Sequence, residues 1–154
     1  MRVVASPGYL KLHGEPARPL ALRDHACITI AQVVGPVEWG FYHRSARNRS
    51  ERLEVEGVVH TTSPLLAAQL AVAGEGILRV NEWVIRDELE RGTLVEILRD
   101  WSCARLSDGG LPVYVVYAQT ASAEPPLKSR VFVETVKQIL SDEMAKTTPG
   151  RKRR

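Results

Sequence analysis

The chain is poor in the residues that usually announce a chemistry. Of 154 residues, two are cysteine and four are histidine. Cys27 and Cys103 stand far apart with no Cys-x-x-Cys pair, which excludes a disulfide framework and a thiol metal or redox centre but leaves a single bridge open. His13, His25, His43 and His60 are scattered, without His-Glu-x-x-His or His-x-His spacing, so no metal is expected. There is no Gly-x-Ser-x-Gly elbow and no P-loop. The acidic pairs Asp87-Glu88 and Asp142-Glu143 are adjacent on surface-like helices and point apart. No catalytic residue and no cofactor is therefore assigned, and the chain is not expected to be an enzyme. No run approaches the about 20 apolar residues of a membrane span. Residues 1–7 lack the apolar stretch of a signal peptide, so the expected location is the cytoplasm, with no membrane partner.

What is present is ordinary for a soluble globular protein: 44% hydrophobic and 25% charged residues, in a length that suits one domain. The net charge of +3 and pI near 9.1 invite a nucleic-acid reading. Arg151-Lys152-Arg153-Arg154 removes that invitation. Without these four cations the chain has fewer basic residues than its 18 acidic ones. A body without net positive charge is a poor phosphate binder, and a short tail alone binds weakly and in a salt-sensitive way.

Strand and helix signals alternate. Val3-Val4-Ala5 reads as a strand stopped by Ser6-Pro7-Gly8, with a helical turn from Tyr9 to Leu12. A further turn, residues 20–24, precedes a β-branched strand at residues 26–30 and an aromatic strand at residues 38–42. Residues 44–52 are polar and basic and read as a loop or hairpin tip. Residues 53–56 alternate apolar and polar, and Val58-Val59 is expected to continue that strand. The best-marked helix has Ser63 as N-cap, Pro64 in its first position and Gly74 as terminator. It is apolar almost all round, which predicts burial. The strand Ile77-Leu78-Arg79-Val80 follows, completing a strand–helix–strand unit of the parallel type. A helix over residues 84–91, a strand over 94–98, a central strand over 113–117 and a last helix opened by Pro125-Pro126 complete the pattern. The expectation is an α/β fold with a mixed sheet.

The order of these segments resembles the effector-binding domain of LysR-type transcriptional regulators, a type 2 periplasmic-binding-protein fold. Val4-Ala5-Ser6-Pro7-x-Tyr9-Leu10 with His13-Gly14 and Pro16 is similar to the strand and turn that enter the second lobe. Ala71-Val72-Ala73-Gly74-Glu75-Gly76-Ile77 is similar to the family's helix end. Leu89-x-x-Gly92-x-Leu94-Val95, Leu98-x-x-Trp101, residues 112–117 and residues 126–133 follow in order. No single match is specific; their collinear order is. Thr62 stands where the family commonly has Asn, and Asn81 where it commonly has Pro. The resemblance implies that residues 1–118 are an effector-binding second lobe. Residues 119–144 would be the segment and C-terminal helix that return to the first lobe, and 145–154 a disordered basic tail. No winged helix-turn-helix is expected in this chain, so DNA would be reached only through another part of a regulator.

The residues themselves single out Thr61-Thr62-Ser63, hydroxyls where a strand ends and a helix begins. Free N–H groups and the helix dipole favour an anion there. Capping alone would also account for Ser63, but the resemblance places an effector near these residues. It also sets Trp39-Gly40-Phe41 at the ligand cleft, although core packing is the plainer role for one of the two rings. Ser6 and Pro7 are counted with Trp39, Gly40, Phe41, Thr61, Thr62 and Ser63 as effector-binding residues, expected first as a hinge turn and only second as a direct ligand contact. Arg44, Arg47, Arg49 and Arg52 read as a solvated loop partly neutralised by Glu51 and Glu54 rather than a phosphate patch. Cys27 reads as a buried structural thiol. The expected function is binding of a small, anionic effector, a small carboxylate, in the regulation of transcription, with a homo-oligomer expected. The alternative is a remnant or protein-interaction module that oligomerises through an exposed half-cleft.

Overall fold

A computed structural model of the chain describes residues 1–32, 34–46, 48–103 and 126–147. They fall in two compact units, Met1–Gly110 and Leu111–Arg154. In the first unit, β1 (Arg2–Ala5), α1 (Pro7–His13), β2 (Cys27–Ile30), β3 (Val37–His43), β4 (Ser50–Val55) and β5 (Val59–Thr61) come in turn. They are followed by α2 (Pro64–Ala73), β6 (Ile77–Val80), α3 (Arg86–Glu90), β7 (Val95–Ile97) and β8 (Trp101–Ser102). Two 3-10 turns, Pro19–Asp24 and Glu82–Val84, join them. The described part of the second unit is one helix, α4 (Leu127–Thr147). The strand expected at residues 113–117 and the tail lie outside the described residues.

Two sheets form, one of five strands in the order β5-β2-β6-β1-β7 and one of three in the order β4-β3-β8. In the larger, β5, β2 and β6 are parallel and β1 runs antiparallel to both β6 and β7, so the sheet is mixed, as the alternation of elements implies. The carboxyl ends of β5, β2 and β6 share one edge, beside the start of β1: Thr61 pairs with Ile30, and Val80 with Arg2. The period-2 alternation of side chains sends successive residues to opposite faces. Val4, Ile28 and Leu78 pack under α2, while Val3, Ala5, Cys27 and Ile77 pack with Trp39 and Phe41 from the smaller sheet.

The caps of α2 are those the sequence signals. Ser63 Oγ accepts the Leu66 N–H at 3.3 Å, Pro64 opens the helix, and Gly74 ends it in the left-handed region at φ 89°. Its burial is not. Ala67, Ala68 and Ala71 meet the sheet, whereas Leu65 is 65% exposed, with Leu66 and Val72 also exposed. An apolar helix with no polar side has nothing in its sequence to set its rotation. The small side chains win the inner face because they let the backbone approach the sheet closely.

Three other expectations are corrected. Val58-Val59 does not continue the strand before it: β4 and β5 belong to different sheets, and the chain breaks at Glu56-Gly57. A Cβ on Gly57 would stand 2.5 Å from Thr29 Oγ1 and 2.9 Å from the Val59 carbonyl oxygen, so the crossing from one sheet to the other requires glycine here. The helix over residues 84–91 is a 3-10 turn and the five-residue α3, separated by Ile85, which is fully buried. The turn expected at Ser6-Pro7 is a helix start: Ser6 Oγ accepts the Tyr9 N–H at 3.2 Å and Pro7 takes the first position of α1.

The last helix has the expected phase, and on it Leu127, Val131, Phe132, Ile139 and Leu140 are exposed.

Candidate functional site

The edge where the parallel strands end is the place in an open α/β sheet where ligands bind. Three of the candidate residues converge there. Thr61 closes β5, and its Oγ1 accepts the Ser63 N–H at 3.1 Å. Ser63 caps α2 through one lone pair, which leaves its own O–H free to donate. Thr62 between them is exposed. Pro64 has no N–H, and the Leu65 N–H has no acceptor inside the helix, so the positive end of α2 opens onto this edge.

Beside it lies a cavity of about 170 Å³, whose lining includes Ile30, Trp39, Pro64, Arg79, Asn81 and Trp83. Trp39 reaches it from β3 of the smaller sheet. It is almost wholly buried and tilted against Phe41, with ring centres 6.5 Å apart. Phe41 is fully buried in the same core, so both rings pack and one also borders the cavity. Gly40, between them, is half-buried and pairs with Arg52.

Arg79 is the residue that the sequence does not bring forward. It lies on β6, on the face opposite Leu78 and Val80, with its guanidinium carbon 5.0 Å from the centre of the Trp39 ring. Among the described residues no carboxylate pairs with it and no side chain accepts a hydrogen bond from it. Burial holds its pKa below the ordinary arginine value, and the nearby Cys103 acts weakly in the opposite direction. A half-buried guanidinium without a counter-charge is a costly group, and arginine stays cationic throughout the physiological range. A lone arginine inside an apolar parallel strand is the signal that could have found it.

Ser6 and Pro7 do not join this group. They follow the carboxyl end of β1, which is antiparallel to β6, and Ser6 Oγ lies near Gly74 at the far end of α2. A second cavity of about 190 Å³, bordered by Leu22, Arg23, His25, Glu54 and Glu56, lies near the amino end of β2, away from the strand ends that favour ligands. The basic loop is held by its own surroundings. Arg44 Nε donates to the Arg99 carbonyl at 2.9 Å, Arg49 sits over Trp101, and Arg52 pairs loosely with Glu38 at 3.8 Å. Arg47 lies outside the described residues. Cys27 is buried and Cys103 half-buried, both as free thiols, and burial pushes Cys27 up to about 12, the behaviour of an unreactive structural cysteine. Among the described residues no three metal-ligating side chains gather, and no helix is long and apolar enough to cross a membrane.

Residues 1–141 match the family described as LysR substrate binding domain. The chain belongs to this family. A LysR domain of this kind binds effectors in transcriptional regulation, and the part of the family's architecture that matches is that domain, not a DNA-binding helix-turn-helix. An uncharacterized HTH-type transcriptional regulator of Haemophilus influenzae is 28% identical over 73% of this chain and 36% of its own length. The HTH-type transcriptional regulator CrgA of Neisseria meningitidis serogroup B is 25% identical over 93% of this chain and 44% of its own. The LysR-type chain thus spans less than half the length of these curated relatives. Its fold is similar to the full-length structure of AphB, the Vibrio cholerae virulence activator, with a TM-score of 0.60 and 24% identity over 67% of this chain and 34% of that one. The CrgA regulatory domain gives a TM-score of 0.55 at 22% identity, over 66% of this chain and 48% of that one. Both curated relatives bear the names of HTH-type transcriptional regulators.

Proposed function

We propose that this LysR domain senses a small carboxylate at the carboxyl edge of its parallel strands. The observation that carries this reading is Arg79, which has no carboxylate partner among the described residues, beside a cavity that adjoins the amino end of α2. Thr61, Thr62 and Ser63 would supply hydroxyl and backbone donors, and Trp39 a wall. Gly40 shapes the strand that carries Trp39. Phe41, Ser6 and Pro7 serve packing and the start of α1 in this reading. Residues 1–118 act as the sensing lobe, 119–144 as the return toward a first lobe and 145–154 as a basic tail. The effector changes regulation only by binding two arrangements of the protein with different affinity. DNA is engaged through a winged helix-turn-helix elsewhere in the regulator, in the cytoplasm.

The test is a thermal-shift screen of the chain against small carboxylates at fixed ionic strength. A ligand-dependent rise in Tm, lost in Thr62→Ala or Ser63→Ala, is the expected result. A folded protein that responds to none of them would leave the sensing reading without support. A second reading, association with a further copy, is favoured by the exposed Leu65, Leu66 and Val72 on the uncharged α2. Light scattering after size exclusion decides it, and a monomer at high concentration counts against it.

A further inference from the structure

We propose that the tip of the β3–β4 hairpin and the turn between β7 and β8 form a docking surface for an acidic segment of another protein, read by Arg44, Arg49 and Arg99. All three side chains are exposed, and none lines the cavity at the strand ends, so this surface stands apart from the effector-sensing reading. The two turns are joined. The Asp100 carbonyl accepts the Arg44 N–H at 2.8 Å, and the Arg49 carbonyl accepts the His43 N–H at 2.9 Å.

The charge here is uncompensated. Glu51 and Glu54 stand close to this loop in sequence, but the fold engages them elsewhere. Glu51 accepts the Leu20 N–H at 3.1 Å, and Glu54 borders the second cavity. Glu38 pairs with Arg52, and Glu96 with Arg2. Asp100 is next to Arg99 in sequence, yet forms no ion pair with any of the three. Among the described residues no carboxylate pairs with Arg44, Arg49 or Arg99.

The three guanidinium groups are held in place by neutral groups. Arg44 Nε donates to the Arg99 carbonyl at 2.9 Å, and Arg99 Nε donates to the Glu96 carbonyl at 3.1 Å. The Arg49 guanidinium carbon lies 5.2 Å from the centre of the Trp101 ring. Carbonyls and a ring fix the side chains without cancelling their charge. The Nε contacts leave the terminal N–H groups of Arg44 and Arg99 to a carboxylate. Side chains ordered in advance lose less freedom on binding. The turns are defined as well. His43 Nδ1 accepts the Ala46 N–H at 3.2 Å, and the Leu98 carbonyl accepts the Trp101 N–H at 2.8 Å. Leu98 has φ 53°, a left-handed conformation that leucine rarely adopts. With it, Leu98 and Trp101 are buried while Arg99 and Asp100 between them are exposed.

The kind of partner follows from the charge around the patch. Over residues 1–103 acidic residues outnumber basic ones. A long polyanion such as duplex DNA would extend past the patch and meet that acidic body. A short run of Asp or Glu meets the patch alone. Arginine is also enriched at protein–protein interfaces, where complementary charge selects the partner.

The experiment is fluorescence anisotropy with a labelled hexaglutamate peptide. It uses the full-length chain with Arg151, Lys152, Arg153 and Arg154 each replaced by Gln, which removes the tail as a competing cation. Hexaglutamate is expected to bind in a salt-sensitive way, more tightly than hexaglutamine or a short DNA duplex. Replacing Arg44, Arg49 and Arg99 by Gln should weaken it about ten-fold, the combined effect of three exposed charge pairs. Replacing Lys11, Arg18 and Arg23 by Gln removes the same charge from other exposed positions and should change it less than about two-fold, because salt screens distant charges. Arg49→Glu alone should weaken it about three-fold, and this exposed single change keeps the test where the triple variant fails to fold. Equal losses in the two triple variants, or no loss in Arg49→Glu, would overturn the proposal. So would no binding of hexaglutamate, or tighter binding of hexaglutamine or of the duplex.

Discussion

The Tyr9 hydroxyl lies 3.2 Å from Nδ1 of His25 and accepts the Ala26 N–H at 3.0 Å, which fastens α1 to the entry of β2. The His13 ring is stacked on Tyr9 at 4.5 Å, so two imidazoles flank one buried phenol. Burial first, and then His13, hold the His25 pKa below the ordinary imidazole value, with Asp24 acting in the opposite direction. A histidine depressed in the folded state is protonated first in the unfolded chain. Its contribution is therefore intact above the unfolded value of about 6.5 and is lost as the pH falls below it toward the folded value. Tm should drop between pH 7.5 and 5.5 by more in the unaltered protein than in His25→Gln. Equal drops in the two would remove His25 from the acid response.

Gly57 is a point of contact rather than of flexibility. The 2.5 Å that would separate a Cβ there from Thr29 Oγ1 is too short to be relieved by the hydroxyl alone, because the Val59 carbonyl also lies at 2.9 Å. Thr29 is fully buried and bonded to His60 Nδ1 at 2.6 Å, so it has little room to move. Gly57→Ala should cost about 1–3 kcal/mol, the usual range for overpacking a close-packed site. Urea denaturation measures it. A loss under about 0.5 kcal/mol, the level of an ordinary surface change, would mean that β4 and β5 can separate more than the structure allows.

The two sides of α2 should respond oppositely to substitution. Leu65→Glu places a charge on a side chain that is 65% exposed and should stay within about 0.5 kcal/mol of the parent. Ala71→Leu adds three carbons where the helix touches the sheet and should cost about 1–3 kcal/mol. Chemical denaturation of both variants separates the cases. Comparable losses would place Leu65 in a packed interface, and the same measurement across protein concentrations would show whether a second copy forms it.

Much of the fold is legible in the sequence because local chemistry marks it. Ser63, Pro64 and Gly74 each act through their nearest neighbours, and the strands at residues 3–5, 27–30 and 77–80 carry β-branched or apolar side chains on both faces, as a covered sheet requires. The local geometry of the candidate site at Thr61-Thr62-Ser63 is legible for the same reason: a strand end followed by a capped helix is a local pattern. What is not legible depends on contacts distant in sequence. The break at Gly57 comes from Thr29, and without that contact an apolar run reads as one strand. Arg79 acquires its meaning from Trp39, forty residues earlier and in another sheet. The family pattern groups Ser6 with the site, whereas the antiparallel course of β1 carries it to the opposite edge.

Cys27 offers a test of how tightly the core between the two sheets closes. Its thiol is buried among residues of β1, β6 and the smaller sheet, its Sγ lies 3.8 Å from the Leu22 carbonyl oxygen, and burial pushes it up to about 12. A thiol raised in the folded state loses its proton first in the unfolded chain. Its contribution is complete below the ordinary thiol value of about 8.5 and falls as the pH rises from there toward the folded value. In a Cys103→Ser background, which removes the second thiol, the denaturation midpoint should decline between pH 8 and pH 10 by more than in Cys103→Ser/Cys27→Ala. In the same background an aromatic disulfide reagent should label Cys27 only at the rate at which the protein unfolds. Labelling faster than unfolding, with no excess alkaline loss, would show that the core opens locally at β2 and that the thiol meets water in the native state.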